Sequence, residues 1–334
     1  MRRRVLTVLA LPLVLFAPVA YGVTDDSSRS DRPSQRVSEG HVVAAEGVVL
    51  GPSANVAPVP YDGVASPTDV PGGPQGSLPT VHAIYVHPSD APSRFNTVVD
   101  PSTGITLAAQ LQRDARWASD VLRTIYGRGI RFDERVGGDN VRRIDISVVK
   151  SKYDTRRLSS STQFNSVVND LKARGFNVQN KKYLVFLDAP SQYCGQSSFA
   201  SDTQRTAANA NEATTYSVAY RWGGKGSEAS SGFCGGRTVV HELTHSFGAV
   251  QPSAPNQASG AHCNDNANDV LCLYASTVLF SNGTLYDYRQ DDYWDPTAVP
   301  EAPASARKLA WWTVNLSRFV CPTVGCDAAS TPNF

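Results

Sequence analysis

Val239-Val240-His241-Glu242-Leu243-Thr244-His245 carries the spacing H-E-x-x-H. On a helix, side chains four apart share a face, so His241 and His245 can close on a single metal ion. Glu242 projects to the side, where its carboxylate can take a proton from a water at the metal. Zinc suits imidazole and lowers the pKa of its water to about 7, so the pattern points to hydrolysis at neutral pH. Val239, Val240, Leu243 and Phe247 give such a helix an apolar body, and Gly248 stands where a helix stops.

Two imidazoles do not complete a catalytic zinc site, which takes three protein ligands and keeps one position for water. Three residues past Gly248 stands Gln251, a poor ligand. The next strong donors are His262, Asp265 and Asp269. His262 is preferred because imidazole suits zinc and a bridged Cys263 would pin its loop. Asp265 is the second choice and Asp269 the third, and either could instead orient a ligating histidine.

The first residues read as an export signal: Arg2 to Arg4, an apolar run from Val5 to Ala20, then the small-residue end Ala20-Tyr21-Gly22. The expected organisation is therefore a signal peptide over 1–22 and a disordered linker or propeptide over 23–78. A single catalytic domain follows over 79–334. The linker is rich in Ser, Pro, Gly and Asp, and buries too little apolar surface to offset its ordering entropy. The mature protein is expected to be secreted, with no membrane attachment after cleavage. Lys and Arg number 31 against 30 Asp and Glu, a net charge of +1 that offers no field for nucleic acid. Six cysteines in the C-terminal half suit disulfides in an oxidising compartment. Nearest-neighbour pairing is expected among the 15 connectivities: Cys194 with Cys234, Cys263 with Cys272, Cys321 with Cys326.

Within the domain, strands are expected over Val81–Val86, Ile130–Glu134, Arg143–Val149, Tyr183–Leu187 and Thr214–Trp222. The continuous apolar run Tyr183–Leu187 belongs in the centre of a sheet covered on both faces. Helical spacing marks Ile105–Tyr126, Ser161–Arg174, the metal helix from Gly236, and a closing helix over Ser305–Ser317. Asp287, Asp291, Asp292 and Asp295 lie among Tyr286, Tyr288, Tyr293 and Trp294. Such an oxygen-rich loop is a candidate for Ca2+, though its spacing matches no calcium-loop motif, and its aromatics could line a cleft.

His241-Glu242-Leu243-Thr244-His245-Ser246-Phe247-Gly248 resembles the helix and glycine turn of metzincin zinc metalloproteases. The segments Ala249-Val250-Gln251, His262-Cys263-Asn264-Asp265 and Asp269-Val270-Leu271-Cys272 are similar to a group of secreted bacterial proteins associated with that superfamily. The chain departs from the pattern twice. Gln251 stands where the usual third histidine would be, and Met1 is the sole methionine, so the turn methionine beneath the zinc is absent. Leu271 is expected to fill that place as an apolar floor of similar volume. The resemblance implies an α+β fold: a twisted mixed sheet with long helices, the active-site helix, and an irregular, disulfide-linked C-terminal subdomain. It also implies a secreted endopeptidase with one catalytic Zn2+, ligated by His241, His245 and His262 or Asp265. Glu242 would be the general base, and Tyr274 a candidate helper at the carbonyl oxygen. The expected partner is a protein or peptide substrate. The alternatives are a zinc amidase acting on cell-wall peptides, or an inactive extracellular binding module of the same fold.

Overall fold

The computed structural model describes residues 79–136, 140, 142–204, 208–222, 234–265, 269–272, 286–287, 290–294 and 312–322. The expected signal peptide (1–22) and linker (23–78) lie outside the described residues, as do Tyr274, Tyr288, Asp295 and Cys326.

Five strands form the main sheet: β1 (Thr80–His87), β2 (Ile146–Lys150), β3 (Lys181–Pro190), β4 (Gly195–Ser197) and β5 (Tyr216–Trp222). Their order is β2-β1-β3-β5-β4. The first four in that order are parallel, and β4 runs antiparallel along β5 at the edge. The sheet is mixed, as expected, and the apolar strand β3 occupies its centre. Side chains alternate along these strands and feed two cores. Val81, Ala83, Tyr85, Leu184, Phe186 and Ala219 face one side; Ile84, Val86, Tyr183, Val185, Leu187 and Val218 face the other.

Helix α1 (Leu107–Tyr126) covers the first side with Leu107, Leu111, Ala115, Ala118 and Leu122. Thr106 caps its start by accepting from the Ala109 N–H at 3.3 Å, and Gly127 ends it in the left-handed region at φ 64°. Helix α2 (Gln163–Ala173) covers the second side with Val167, Val168 and Leu171. Both faces of β3 are thereby buried, which is why nearly every residue from Lys181 to Ala189 is apolar or satisfied internally. The two lysines illustrate this. Lys181 Nζ donates to both Asp133 oxygens at 2.5 and 2.6 Å. Lys182 Nζ donates to Asn211 O, Ala213 O and Thr215 Oγ1.

Three expected elements differ. The strand expected over 130–134 is broken: Arg128–Ile130 pairs with Val320–Pro322, Phe132 makes one bridge to Val81, and Glu134–Val136 pairs with Arg142–Ile144. The strand expected over 143–149 divides at Asp145 for the same reason, each half serving a different neighbour. The closing helix expected over 305–317 is not formed in its described part. Thr313 is extended, Val314–Leu316 is a single tight turn, and Val314 N–H donates to Tyr293 O at 2.8 Å. In this described part tertiary partners stand in place of the expected helical ones.

Ser147, His82 and Asp133 repeat the bond order of a hydrolase triad. His82 Nδ1 donates to Asp133 Oδ2 at 3.0 Å, and Ser147 Oγ lies 2.9 Å from His82 Nε2. Yet His82 has no exposure and packs between Phe176 and Tyr183, while Lys181 occupies Asp133. No substrate reaches this group, and its role is to satisfy buried polar atoms between strands.

Candidate metal centre

Helix α3 (Gly236–Ser246) carries the H-E-x-x-H stretch. Val239, Val240, Leu243 and Phe247 press into the core shared with α1 and the sheet. His241 and His245, one turn apart, share a face toward the C-terminal loops. Gly236 starts the helix hard against Trp117, where a Cβ would stand 2.6 Å from the indole. At the other end Gly248 turns the chain at φ 99°, and Ala249 follows. That turn returns a carbonyl to the site, since His245 Nδ1 donates to Ala249 O at 2.9 Å.

The third imidazole arrives from the loop beyond. His262 is extended, 3 % exposed, and held by Ala258 N–H on its carbonyl at 2.6 Å. The bridge Cys263–Cys272 closes the next segment, and Val270 inside it accepts from His241 Nδ1 at 2.7 Å. One disulfide-closed loop thus adjoins the third histidine and orients the first. The neighbouring Leu271 is fully buried in the core that holds Leu243.

The ligand atoms of His241, His245 and His262 lie within 4.8 Å of one another. His241 Nε2 is 3.1 Å from His245 Nε2 and 3.3 Å from His262 Nε2. With the Nδ1 protons of His241 and His245 committed to carbonyls, their Nε2 lone pairs face this common point. Burial, reinforced by His262, pulls the His241 imidazole down to about 3. Burial and its two neighbours hold His245 well below its usual value. Neutral rings aiming lone pairs together are a donor set for a cation. Tetrahedral zinc with bonds of about 2.0–2.1 Å would place its ligand atoms roughly 3.3 Å apart, close to the spacing found.

The other expected ligands stand elsewhere. Asp265 groups with Asp291 and Asp292 rather than with the histidines. Asp269 is fully buried and accepts from Leu271 N–H at 2.8 Å and from the Tyr293 hydroxyl. Gln251 donates to Ala200 O and Gly248 O, which ties it to the turn. The aromatic loop does not line a cleft among the described residues, because Tyr286, Tyr293 and Trp294 are buried. Tyr286 lies under the metal helix against Thr244, and Trp294 stacks on Tyr126 at 4.0 Å.

Glu242 is 2 % exposed, and its backbone carbonyl accepts from Ser217 Oγ on β5 at 2.9 Å. Its side chain runs against the edge strand. A Cβ on Gly195 would stand 2.3 Å from Glu242 Oε1, so β4 approaches the carboxylate only because residue 195 has no side chain. Sequence reasoning missed Gly195. The one available signal was its neighbour Cys194, whose bridge to Cys234 fastens this strand to the start of α3. Two of the three expected disulfides are present; the third involves Cys326, outside the described residues.

No family model matches the chain, and no curated protein matches it. Among solved structures it is similar to metalloproteinase-II from Bacteroides fragilis, at 13 % identity and a TM-score of 0.31, over 65 % of this chain and 54 % of that one. It is also similar to wild-type OgpA from Akkermansia muciniphila, at 14 % identity and a TM-score of 0.29, over 52 % and 49 %. The chain spans about half the length of each.

Proposed function

We propose that this protein is a secreted zinc-dependent endopeptidase with His241, His245 and His262 as the metal ligands and Glu242 as the general base. The observation that carries the reading is the convergence of three imidazoles, buried at His245 and His262 and half-buried at His241, with the acid of Glu242 next to His241 on the helix. Zinc held there supplies an acidified water and an electrophilic contact for a peptide carbonyl. The remaining work falls to the chain's own groups. Glu242 takes the proton of the attacking water and returns it to the leaving amine. The carbonyls of Ala249 and Val270 keep two imidazoles in the tautomer that presents Nε2. The edge strand β4 brings its backbone to the carboxylate at Gly195, and so forms one wall against which Glu242 is held.

Two disulfides accord with an exported protein. The test is hydrolysis of casein and of peptidoglycan by the wild type and Glu242→Ala, with and without chelator. Casein cleavage that is lost in the variant and in chelator, and restored by zinc, is the expected result. Cleavage of peptidoglycan alone would identify the amidase. Equal activity in Glu242→Ala would remove the general-base assignment, and binding without turnover would leave the inactive module.

A further inference from the structure

A second group of oxygen donors lies outside the histidine site. Asp265, three residues past His262, and Asp291 and Asp292, from the aromatic loop, each present a carboxylate oxygen within 4.8 Å of the others. Such a cluster means little by itself on a protein surface. Asp292 distinguishes this one. It is 1 % exposed, and its Oδ1 accepts from Asn256 N–H at 3.1 Å. Its Oδ2 is buried with no N–H or hydroxyl donor among the described residues, and its carboxyl lies within hydrogen-bond reach of Asp265, a pair that only a shared proton or a cation can bridge.

A buried acceptor left without a donor costs about 1–3 kcal/mol, and more when charged, so such atoms are normally met by a donor, a water or an ion. The nearest groups here are like charges. Burial, with Asp265 and Asp291 beside it, pushes the Asp292 carboxyl up to about 7. The donor set is all oxygen, because the neighbouring Cys263 and Cys272 are joined to each other. Calcium accepts six to eight oxygens in flexible geometry, with aspartates binding through one oxygen or two and water filling the rest. Magnesium demands a stricter octahedron, and softer metals prefer nitrogen or sulfur.

We propose that Asp265, Asp291 and Asp292 form a binding site for a hard divalent cation of calcium's size, separate from the three-histidine centre. Its occupant would tie the loop carrying His262 to the loop carrying Tyr293 and Trp294, two segments joined on the protein side by the Tyr293–Asp269 bond. The proposal does not rest on the hydrolase reading.

Tyr293 and Trp294 directly follow Asp292, so a lanthanide in the site would be sensitised by excitation of these rings. The experiment titrates Tb3+ into the full, zinc-loaded protein, displaces it with Ca2+, and follows Tm with Ca2+. One saturable Tb3+ signal that Ca2+ displaces, together with a Ca2+-dependent rise in Tm, is expected. Asp292→Asn should abolish both. Asp265→Asn and Asp291→Asn, at less buried positions, should each weaken binding at least tenfold and settle the matter should Asp292→Asn not fold. Zinc content should be unchanged in Asp291→Asn. No displaceable signal in the wild type, or wild-type affinity in either Asp265→Asn or Asp291→Asn, overturns the assignment.

Discussion

Trp312 donates its indole N–H to the main-chain carbonyl of Phe247 at 2.8 Å, and the same ring closes over Gly248. The turn that ends the metal helix is therefore held from the far end of the chain. A Cβ at position 248 would meet Trp312 Nε1 at 2.4 Å and Asn211 at 2.6 Å, on a backbone at φ 99°. Gly248→Ala is expected to cost about 2–4 kcal/mol, combining backbone strain and overpacking. Denaturant midpoints check this. A loss below 1 kcal/mol would mean that the turn is looser than described.

Metal content separates the candidate third ligands. His262→Ala is expected to leave the purified protein nearly empty of zinc, since removal of one of three ligands typically collapses affinity. Asp265→Ala should keep close to one zinc per chain. Asp269→Ala should keep zinc but lose stability, because a buried acceptor for Leu271 N–H and the Tyr293 hydroxyl disappears. Mass spectrometry of the metal after dialysis is the measurement, and zinc retained in His262→Ala would refute the assignment.

Gly195→Ala places a methyl group against the Glu242 carboxylate. The flexible carboxylate, rather than the backbone, is expected to yield. A displacement of about 1 Å at a catalytic group can cost roughly a hundredfold, so kcat/KM on casein should fall by about ten- to a hundredfold. Zinc content should stay near the wild type, while Tm falls modestly because the buried Glu242 Cγ, 2.5 Å from the new methyl, must shift as well. Unchanged kcat/KM would show that Glu242 does not need its present position.

Lys182 gives the stability a pH slope of known sign. Burial pulls its ammonium down to about 7, against the opposing pull of Glu212. Between that value and the ordinary lysine range near 10.4, the unfolded chain binds a proton that the folded chain does not. Stability therefore rises with pH across this window, and the full cost of the buried charge is felt below about pH 7. The difference in unfolding free energy between the wild type and Lys182→Met, followed from pH 7 to 9, should show that rise. A flat difference would mean that Lys182 stays charged in the fold.

The helix of His241 and His245, the central strand and the approach of His262 to that helix were legible because each is written in local chemistry. His241 and His245 are spaced by one helical turn, Tyr183–Leu187 is an unbroken apolar run, and His262 adjoins a cysteine. What stayed hidden depends on partners remote in sequence. Gly195 matters only because β4 folds against Glu242, 47 positions later by their numbers. Trp312 falls within the helix expected over Ser305–Ser317, yet its indole is claimed by Phe247 and the following backbone by Tyr293. Asp265 reads as a neighbour of His262 and a rival ligand, whereas the fold turns it toward Asp291 and Asp292.

The two bridges flank the histidine centre, Cys194–Cys234 at the strand against the Glu242 carboxylate and Cys263–Cys272 at the third imidazole's loop. Both are products of oxidation, so the chain made in a thiol-rich cell interior lacks the cross-links that brace its reactive groups. If the centre holds zinc as proposed, a mild reductant would imitate a chelator, disarming it by slackening its frame and leaving all three imidazoles chemically intact.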